Sequence, residues 1–161
     1  MKYYVVADVH GFCSILKDSL KEKGFFNDEE PHKLIVCGDL FDRGGEAVEL
    51  QNFILELLEK DEVILIKGNH EELLVDMLNS WHRASYLESH HNSNGTVDTV
   101  LQLTSSRLAD LYDNPSDVYY KMKETPFMQK ILPAMVDYFE TENHIFVHGW
   151  IPCESIRQNP Y

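Results

Sequence analysis

Seven consecutive residues, Gly38-Asp39-Leu40-Phe41-Asp42-Arg43-Gly44, combine two carboxylates, a guanidinium and two glycines. They follow the strand-type run 33–37 and precede a helical pattern, which is where open α/β sheets bind their ligands. Asp39 leaves the strand first and is the natural metal ligand, whereas Asp42 and Arg43 are suited to orienting a neighbour and gripping phosphate. A solvated loop in which Arg43 pairs with an aspartate is the alternative, and this segment alone does not exclude it.

Three other polar clusters stand in the same position relative to a strand. They are Asp8-Val9-His10-Gly11 after the run 3–7, Lys67-Gly68-Asn69-His70-Glu71 after 63–66, and His148-Gly149-Trp150 after 145–147. On an extended strand end, Asp8 and His10 would point to the same side. Parallel strands joined by right-handed crossovers would bring the clusters at 8–11, 38–44 and 67–71, which follow the first three strands, to one edge of a single sheet. Independent solvated loops would rarely coincide in this way.

Apolar residues at helical spacing follow each of the first three clusters. These residues are Phe12, Ile15, Leu16 and Leu20; Ala47, Leu50, Ile54 and Leu57; and Leu73, Leu74, Met77 and Leu78. Residues 79–143 are polar and aromatic, contain three prolines after residue 114, and are predicted to form a helical cap inserted in a single domain spanning 1–161. His82, His90 and His91 lie in a Ser/Asn-rich stretch of that region and are interpreted as surface histidines.

The candidate metal ligands share oxygen and imidazole donors: they are Asp8, His10, Asp39, Asn69 and His148. This donor set suits Mn²⁺, Fe or Zn²⁺ better than Ca²⁺ or a thiolate-bound metal. One carboxylate shared between two ions gives a two-metal site, and Asp39 is the bridging candidate. Two ions would lower the pKa of a bridging water to about 7, so that a metal-bridging hydroxide could attack phosphorus in line.

His70 is interpreted as an acid rather than as a metal ligand. Asp42 could hold its imidazole and raise its proton affinity, so that His70 protonates the leaving alkoxide. The planar guanidinium of Arg43 can hold two phosphoryl oxygens. This scheme needs no nucleophilic side chain and no organic cofactor.

Composition narrows the class of protein. The chain has 161 residues, 43% of them hydrophobic, and a formal net charge of −13, which disfavours nucleic acid or an anionic membrane as a partner. No run is apolar for long enough to span a bilayer, and the chain starts directly on a strand without a signal-peptide pattern. Three widely spaced cysteines match neither a disulfide framework nor a zinc pattern, so a cytoplasmic location is expected.

The four polar clusters together resemble the motifs of calcineurin-like metallophosphoesterases. Within these, the set is most similar to the phosphoprotein phosphatase branch, in particular the bacteriophage lambda type of serine/threonine/tyrosine phosphatase. Asn94-Gly95-Thr96 also resembles an Asn-Gly element in the cap of that family. The resemblance implies an α/β (α+β) fold, a sandwich of two mixed β-sheets flanked by helices.

The resemblance also implies roles for individual residues. Asp8, His10 and Asp39 would hold one divalent metal, and Asp39, Asn69 and His148 the other, with Mn²⁺ the favoured ion. Asp42 and His70 would form the acid dyad, Arg43 would bind phosphate, and Asn69 would also contact substrate.

The chain departs from the family pattern in two respects. Lys67 stands where the lambda type has arginine, and the family continues past the His-Gly element to a Gly-His motif and a second phosphate-binding arginine, a role that Arg157 does not match. We therefore expect an incomplete second sheet, self-association through its edge, and a better-filled first metal position. If the chain instead closes its own site, the missing ligand would be among His82, His90, His91 and His144.

Three functions stay open at this stage. The first is a metal-dependent phosphomonoesterase acting on serine/threonine phosphoproteins, with tyrosine as a further option. The second is a symmetrical dinucleoside tetraphosphate hydrolase, whose motifs are alike. The third is a truncated binding protein without catalytic activity.

Overall fold

The computed structural model describes residues 1–83 and 89–149, with the side chains of Arg83 and Ser89 left aside. Trp150 and Arg157 lie outside the described residues. The first sheet consists of β1 (Lys2–Ala7), β2 (His32–Cys37) and β3 (Val63–Ile66), in the order β1-β2-β3. Both pairings are parallel, and Ala7, Cys37 and Ile66 lie level in the register. The prediction that three polar clusters leave one edge of one sheet is therefore confirmed.

The two faces of this sheet meet different partners. Leu34 and Val36 of β2 face the main core, which is built with the helices, whereas Ile35 and Cys37 face a smaller apolar cluster. Phe139 and Phe146, from near the end of the described chain, pack against the smaller cluster. This alternation is the period of two that a strand buried on both faces requires.

Three helices follow the strands: α1 (Cys13–Glu22), α2 (Ala47–Glu59) and α3 (Asn69–Asn79). All four predicted core positions of α2 are buried. In α1 the predicted face is partly wrong, because Phe12 and Ile15 are exposed whereas Cys13 joins Leu16 and Leu20 in the core. Helical spacing allowed either stripe, and the one that starts at Cys13 packs into the main core.

The region after α3 is mostly helical. It contains α4 (Ser89–Asn94), α5 (Thr96–Thr104), α6 (Asp110–Asp113), α7 (Pro115–Lys123) and α8 (Leu132–Ala134), with 3₁₀ turns at Phe25–Asn27 and Trp81–Arg83 and a π-helical segment at Phe127–Ile131. Val97, Val100, Leu111, Val118 and Met122 of this region are buried in the main core. None of the helices in the described part of the chain combines the length and the apolarity that crossing a bilayer demands.

A second sheet is formed by β4 (Phe139–Glu140) and β5 (Ile145–Phe146), which pair antiparallel. β4 lies within the range that the sequence assigned to the cap. Val136, just before it, makes a parallel bridge to Ile66 at the edge of the first sheet. Among the described residues the fold is thus α/β with two sheets, one parallel and one antiparallel, as expected for the metallophosphoesterase class.

The second face of the first sheet is covered unevenly, which generates a stability prediction. Ile35 on β2 is 0% exposed, whereas Val5, its register partner on β1, is 52% exposed. Ile35→Ala should lower the free energy of unfolding by about 2–5 kcal/mol, and Val5→Ala by less than about 1 kcal/mol, because surface truncations cost little. Urea denaturation measures both losses. Equal losses would mean that this face is covered as fully at β1 as at β2.

Candidate metal centre

Five polar residues of the site have a left-handed backbone conformation. Asp8, His10 and Asp39 have φ of 53°, 50° and 52°, and Asp42 and Arg43 have 71° and 67°. The expectation that Asp8 and His10 sit on an extended strand end is therefore wrong, since β1 ends at Ala7. Non-glycine residues in this region are uncommon and concentrate where function requires strain.

Backbone hydrogen bonds join the loops after β1 and β2. The amide of His10 donates to the carbonyl of Asp39 at 2.9 Å, and that of Gly11 donates to the carbonyl of Leu40 at 2.9 Å. The amide of Gly44 donates in return to the carbonyl of His10 at 2.8 Å. These reciprocal hydrogen bonds tie the two loops together and stabilise their strained conformations.

Glu71 connects the loop after β2 to the start of α3, a role that the sequence did not predict. Its buried carboxylate accepts the amides of Asp39 at 3.1 Å, Leu40 at 2.9 Å and Gly68 at 2.7 Å. Burial raises the pKa of this carboxyl above its usual range, because desolvation outweighs the three amide hydrogen bonds. A glutamate at the third position of a helix that starts after Gly68 is the capping-box signal that could have identified it.

Position 68 requires glycine because the loop after β2 passes close to its backbone. A Cβ at this position would collide with the side chain and backbone of Asp39. Its amide is one of the three donors to Glu71, so α3 begins directly against the loop after β2. Asn69 and His70 consequently lie in the first turn of a helix and point to the end of the sheet.

The buried carboxylate of Asp39 lies between two groups of side chains. Its Oδ1 is 3.4 Å from His148 Nε2 and accepts the amide of His70 at 3.0 Å. Its Oδ2 is 3.8 Å from His10 Nε2 and 3.9 Å from His70 Nε2. The two oxygens of one carboxylate thus face different imidazoles.

Two of the imidazoles are oriented by backbone carbonyls. The Nδ1 of His10 lies 3.1 Å from the Phe41 carbonyl, and that of His148 lies 2.9 Å from the Cys37 carbonyl. When Nδ1–H donates to a carbonyl, Nε2 carries a lone pair. This is the outer contact that metal-ligating histidines characteristically make, and it turns both Nε2 atoms towards Asp39.

The donor set beside His148 fits a cation. Its Nε2 lies 2.9 Å from Asn69 Oδ1 and 3.4 Å from Asp39 Oδ1, and both oxygens are acceptors. Because the Nδ1–H of His148 donates to the Cys37 carbonyl, Nε2 of a neutral ring carries a lone pair. This lone pair would face the lone pairs of Asn69 Oδ1 and Asp39 Oδ1. A cation bound between these atoms would resolve this conflict, as would a turned Asn69 amide that presents its NH₂ group to Nε2.

Asp8 is placed differently from the other candidate ligands. It is exposed, and its Oδ1 is 3.9 Å from His148 Nδ1. Ligand atoms of Asp8, Asp39 and His148 lie within 4.8 Å of one another, as do those of His10, Asp39 and His70. The other four predicted ligands therefore lie around Asp39, with Asn69 placed there by its contact with His148. The division of the ligands between two ions stays a prediction.

His70 and Asp42 form a buried pair. His70 Nδ1 lies 2.8 Å from Asp42 Oδ2, and both side chains are almost completely excluded from solvent. The opposite nitrogen, Nε2, faces the guanidinium of Arg43 at 3.2 Å. This is the pairing that the sequence predicted.

Arg43 contacts both imidazoles that flank Asp39 Oδ2. Its Nη1 donates to His10 Nε2 at 3.0 Å and its Nη2 donates to His70 Nε2. A guanidinium can only donate, so both rings carry their proton on Nδ1 in this arrangement. The lone pairs that a metal or a substrate would use are thus covered by the side chain of an exposed residue.

The remaining histidines do not join this cluster. His82 and His144 are exposed, as expected. His91 is buried, so its interpretation as a surface histidine is wrong. Its ligand atoms group with those of His90 and Asp76, apart from Asp39, because α4 packs against α3.

An open depression of about 310 Å³ lies beside the cluster. Its lining includes Lys67, Asn69, Glu72, Asp137 and His148. Lys67 lies 3.5 Å from the carboxylate of Asp137. A group bound at Asn69 and His148 would therefore have room on this side.

The Arg43 contact yields a prediction about metal affinity. Arg43→Met should bind Mn²⁺ about tenfold more tightly, equivalent to about 1.4 kcal/mol, because it removes a positive charge and uncovers His10 Nε2. Isothermal titration calorimetry measures the change. Arg107→Met is the matched control, since Arg107 is an exposed arginine paired with Asp110. Unchanged or weaker binding in Arg43→Met would contradict competition between the guanidinium and the ion.

Comparison with known proteins agrees with these motifs. A family model described as calcineurin-like phosphoesterase matches residues 1–159. Serine/threonine-protein phosphatase 1 of Salmonella typhimurium is 36% identical over 73 residues, 45% of this chain and 31% of the relative.

Two further relatives carry other names. A symmetrical bis(5'-nucleosyl)-tetraphosphatase of Buchnera aphidicola is 36% identical over 75 residues, 47% of this chain and 26% of the relative. The asymmetrical bis(5'-nucleosyl)-tetraphosphatase PrpE of Bacillus subtilis is 30% identical over 76 residues, 44% of this chain and 31% of the relative. The chain thus covers less than a third of the length of each of these relatives. Because the family model spans nearly the whole chain, the resemblance predicted from the motifs is confirmed, and the protein belongs to the calcineurin-like phosphoesterases.

Proposed function

We propose that this chain carries the catalytic centre of a divalent-metal-dependent phosphomonoesterase that acts on serine/threonine phosphoproteins. The observation that carries the proposal is the position of Asp39, whose two carboxylate oxygens face His148 and His10 respectively. When bound, a pair of divalent ions at such ligands supplies Lewis acidity and an activated water. Mn²⁺ is the favoured ion, with Fe or Zn²⁺ as alternatives.

The ligands divide between the two ions around Asp39. Asp8, His10 and Asp39 would hold one ion, and Asp39, Asn69 and His148 would hold the other. The carbonyls of Phe41 and Cys37 keep His10 and His148 turned towards Asp39, which supports their assignment as ligands.

The remaining polar side chains bind and protonate the substrate. Arg43 turns from the two imidazoles to two phosphoryl oxygens, for which its planar fork is suited, and Asn69 contacts the same group. Water oxygen forms the new bond to phosphorus as the bond to the serine oxygen breaks. Once Arg43 has turned away, His70 Nε2 takes up a proton from solvent, while Asp42 holds Nδ1–H and stabilises the imidazolium. His70 then gives the Nε2 proton to the departing serine oxygen, and the attacking water loses its proton to solvent.

The acid dyad favours phosphomonoesters over dinucleoside tetraphosphates. A serine alkoxide is a poor leaving group that gains greatly from protonation, whereas a nucleotide leaving from an anhydride gains little. The buried His70–Asp42 pair therefore supports the alkoxide substrate. Assays with a phosphoserine peptide and with a dinucleoside tetraphosphate separate the two, and faster turnover of the tetraphosphate would overturn the choice of substrate.

Metal content tests the role of Asp39. Asp39→Asn should lose most of the Mn²⁺ that the wild-type chain retains, because a neutral amide cannot bridge two cations. Elemental analysis after Mn²⁺ loading and desalting measures the ions per chain. Asp61→Asn is the matched control, because Asp61 also has a positive φ but is exposed and paired with Lys33. Wild-type metal content in Asp39→Asn would remove the bridging assignment.

Leaving-group dependence tests His70. His70→Asn should slow turnover of phosphoserine peptide by roughly 10²–10⁴-fold, the range of general acid catalysis, with a much smaller effect on nitrophenyl phosphate. The ratio of kcat values on the two substrates is the measurement, and the exposed His82→Asn is the control. Equal losses would make His70 a ligand or a structural residue. A metal-loaded wild-type chain that hydrolyses neither substrate would favour the non-catalytic alternative.

A further inference from the structure

The Asp42 carboxylate is held by more than the imidazole of His70. Its Oδ2 accepts Thr96 Oγ1–H at 2.8 Å as well as His70 Nδ1–H, and its Oδ1 accepts Thr99 Oγ1–H at 2.7 Å. Thr96 and Thr99 are fully buried residues of α5, far from Asp42 in sequence. Neither carries a role in the chemistry described above.

Thr99 fixes Asp42 at two points. Its hydroxyl oxygen also accepts the backbone amide of Asp42 at 3.0 Å, so one side chain holds both the carboxylate and the main chain of the same residue. Asp42 has a φ of 71°, a conformation that needs support from its surroundings. Thr99 supplies that support from a helix rather than from the loop itself.

The start of α5 is pressed against the same loop. Gly95, at φ 85°, precedes the helix, and a Cβ there would collide with the backbone amide of Arg43. This contact sets the distance between α5 and the loop, and thereby brings both hydroxyls within reach of Asp42. The resemblance noted for Asn94-Gly95-Thr96 thus coincides with a specific contact.

We propose that Thr96 and Thr99 are positioning residues for the acid dyad. The inference rests on the proposed function, because it assigns their effect to proton delivery by His70. The two hydroxyls fix the rotation of the carboxylate so that Oδ2 stays opposite His70 Nδ1. The Nδ1–H tautomer is thereby held, and Nε2 stays aimed at the reacting side.

A role confined to packing of α5 predicts a different outcome. Thr104, on the same helix, is also buried, and its hydroxyl donates to the carbonyl of Val100 at 2.7 Å. Thr104→Val therefore removes a buried hydroxyl from α5 without touching Asp42. It is the matched control for Thr99→Val and Thr96→Val, which keep the side-chain shape and delete the donors.

The first readout is spectroscopic and needs no turnover. In the full chain, the proton of His70 Nδ1–H gives a downfield ¹H signal, assigned by its absence in His70→Asn. Thr99→Val and Thr96→Val should shift or broaden this signal, Thr99→Ser should restore it, and Thr104→Val should leave it in place. An unchanged signal in a folded Thr99→Val chain overturns the proposal. If Thr99→Val fails to fold, Thr96→Val decides in the same way.

The second readout is the leaving-group ratio. Thr99→Val should lower kcat on phosphoserine peptide by about tenfold or more, a fraction of the general-acid effect, and change kcat on nitrophenyl phosphate by less than about twofold. Equal losses on both substrates overturn the positioning role. A wild-type chain that turns over neither substrate defeats the proposed function, while the spectroscopic readout still decides whether the threonines orient His70.

Discussion

Three buried carboxylates meet beyond the end of β2, and the rest of the site is arranged around their desolvation. Asp39, Asp42 and Glu71 are 5%, 2% and 2% exposed, and an ionised carboxylate costs several kcal/mol to bury without partners. Glu71 receives three backbone amides, and Asp42 receives two hydroxyls and an imidazole. Asp39 receives the amide of His70, with histidine nitrogens no closer than 3.4 Å among the described residues. The least compensated carboxylate is thus the one that lies between the two groups of candidate ligands, which is where a cation would bring the largest gain.

The same electrostatics explain why so many hydrogen bonds join the loop after β2 to its neighbours. The charge of Asp39 adds to burial in raising the pKa of the Glu71 carboxyl, so the amides that solvate Glu71 must be held at fixed positions. Those amides belong to the loop after β2 and to Gly68, the residue before α3. Strained left-handed residues persist in this loop because hydrogen bonds from the loop after β1, from α3 and from α5 determine it from three sides.

The sequence predicted the order of the first three strands and helices and the gathering of the candidate ligands around Asp39, but not the contacts that orient them. Alternating apolar residues and polar clusters at strand ends are local patterns, so β1 to β3 and the gathering around Asp39 followed from them. The exposure of Ile15 and the burial of His91 depend on which neighbour covers a residue, which spacing does not encode. The hydroxyls of Thr96 and Thr99 reach Asp42 across more than fifty residues, a distance in sequence that no motif bridges. β4 was missed because two residues are too short for a strand period to be visible.

Arg43 joins the two halves of the site. Its guanidinium donates to His10 Nε2 on the side of the metal ligands and to His70 Nε2 on the side of the acid. Each ring is fixed from behind, His10 by the carbonyl of Phe41 and His70 by Asp42, so neither can turn away from the guanidinium. Under the proposed function both lone pairs are needed, one for an ion and one for a proton. A phosphoryl group accepts from both arms of a guanidinium and would draw Arg43 from the two rings together, so that substrate binding and preparation of the acid become a single event. Arg43 is exposed while its sequence neighbours Asp42 and Gly44 are buried, which confines this movement to the one side chain that must make it.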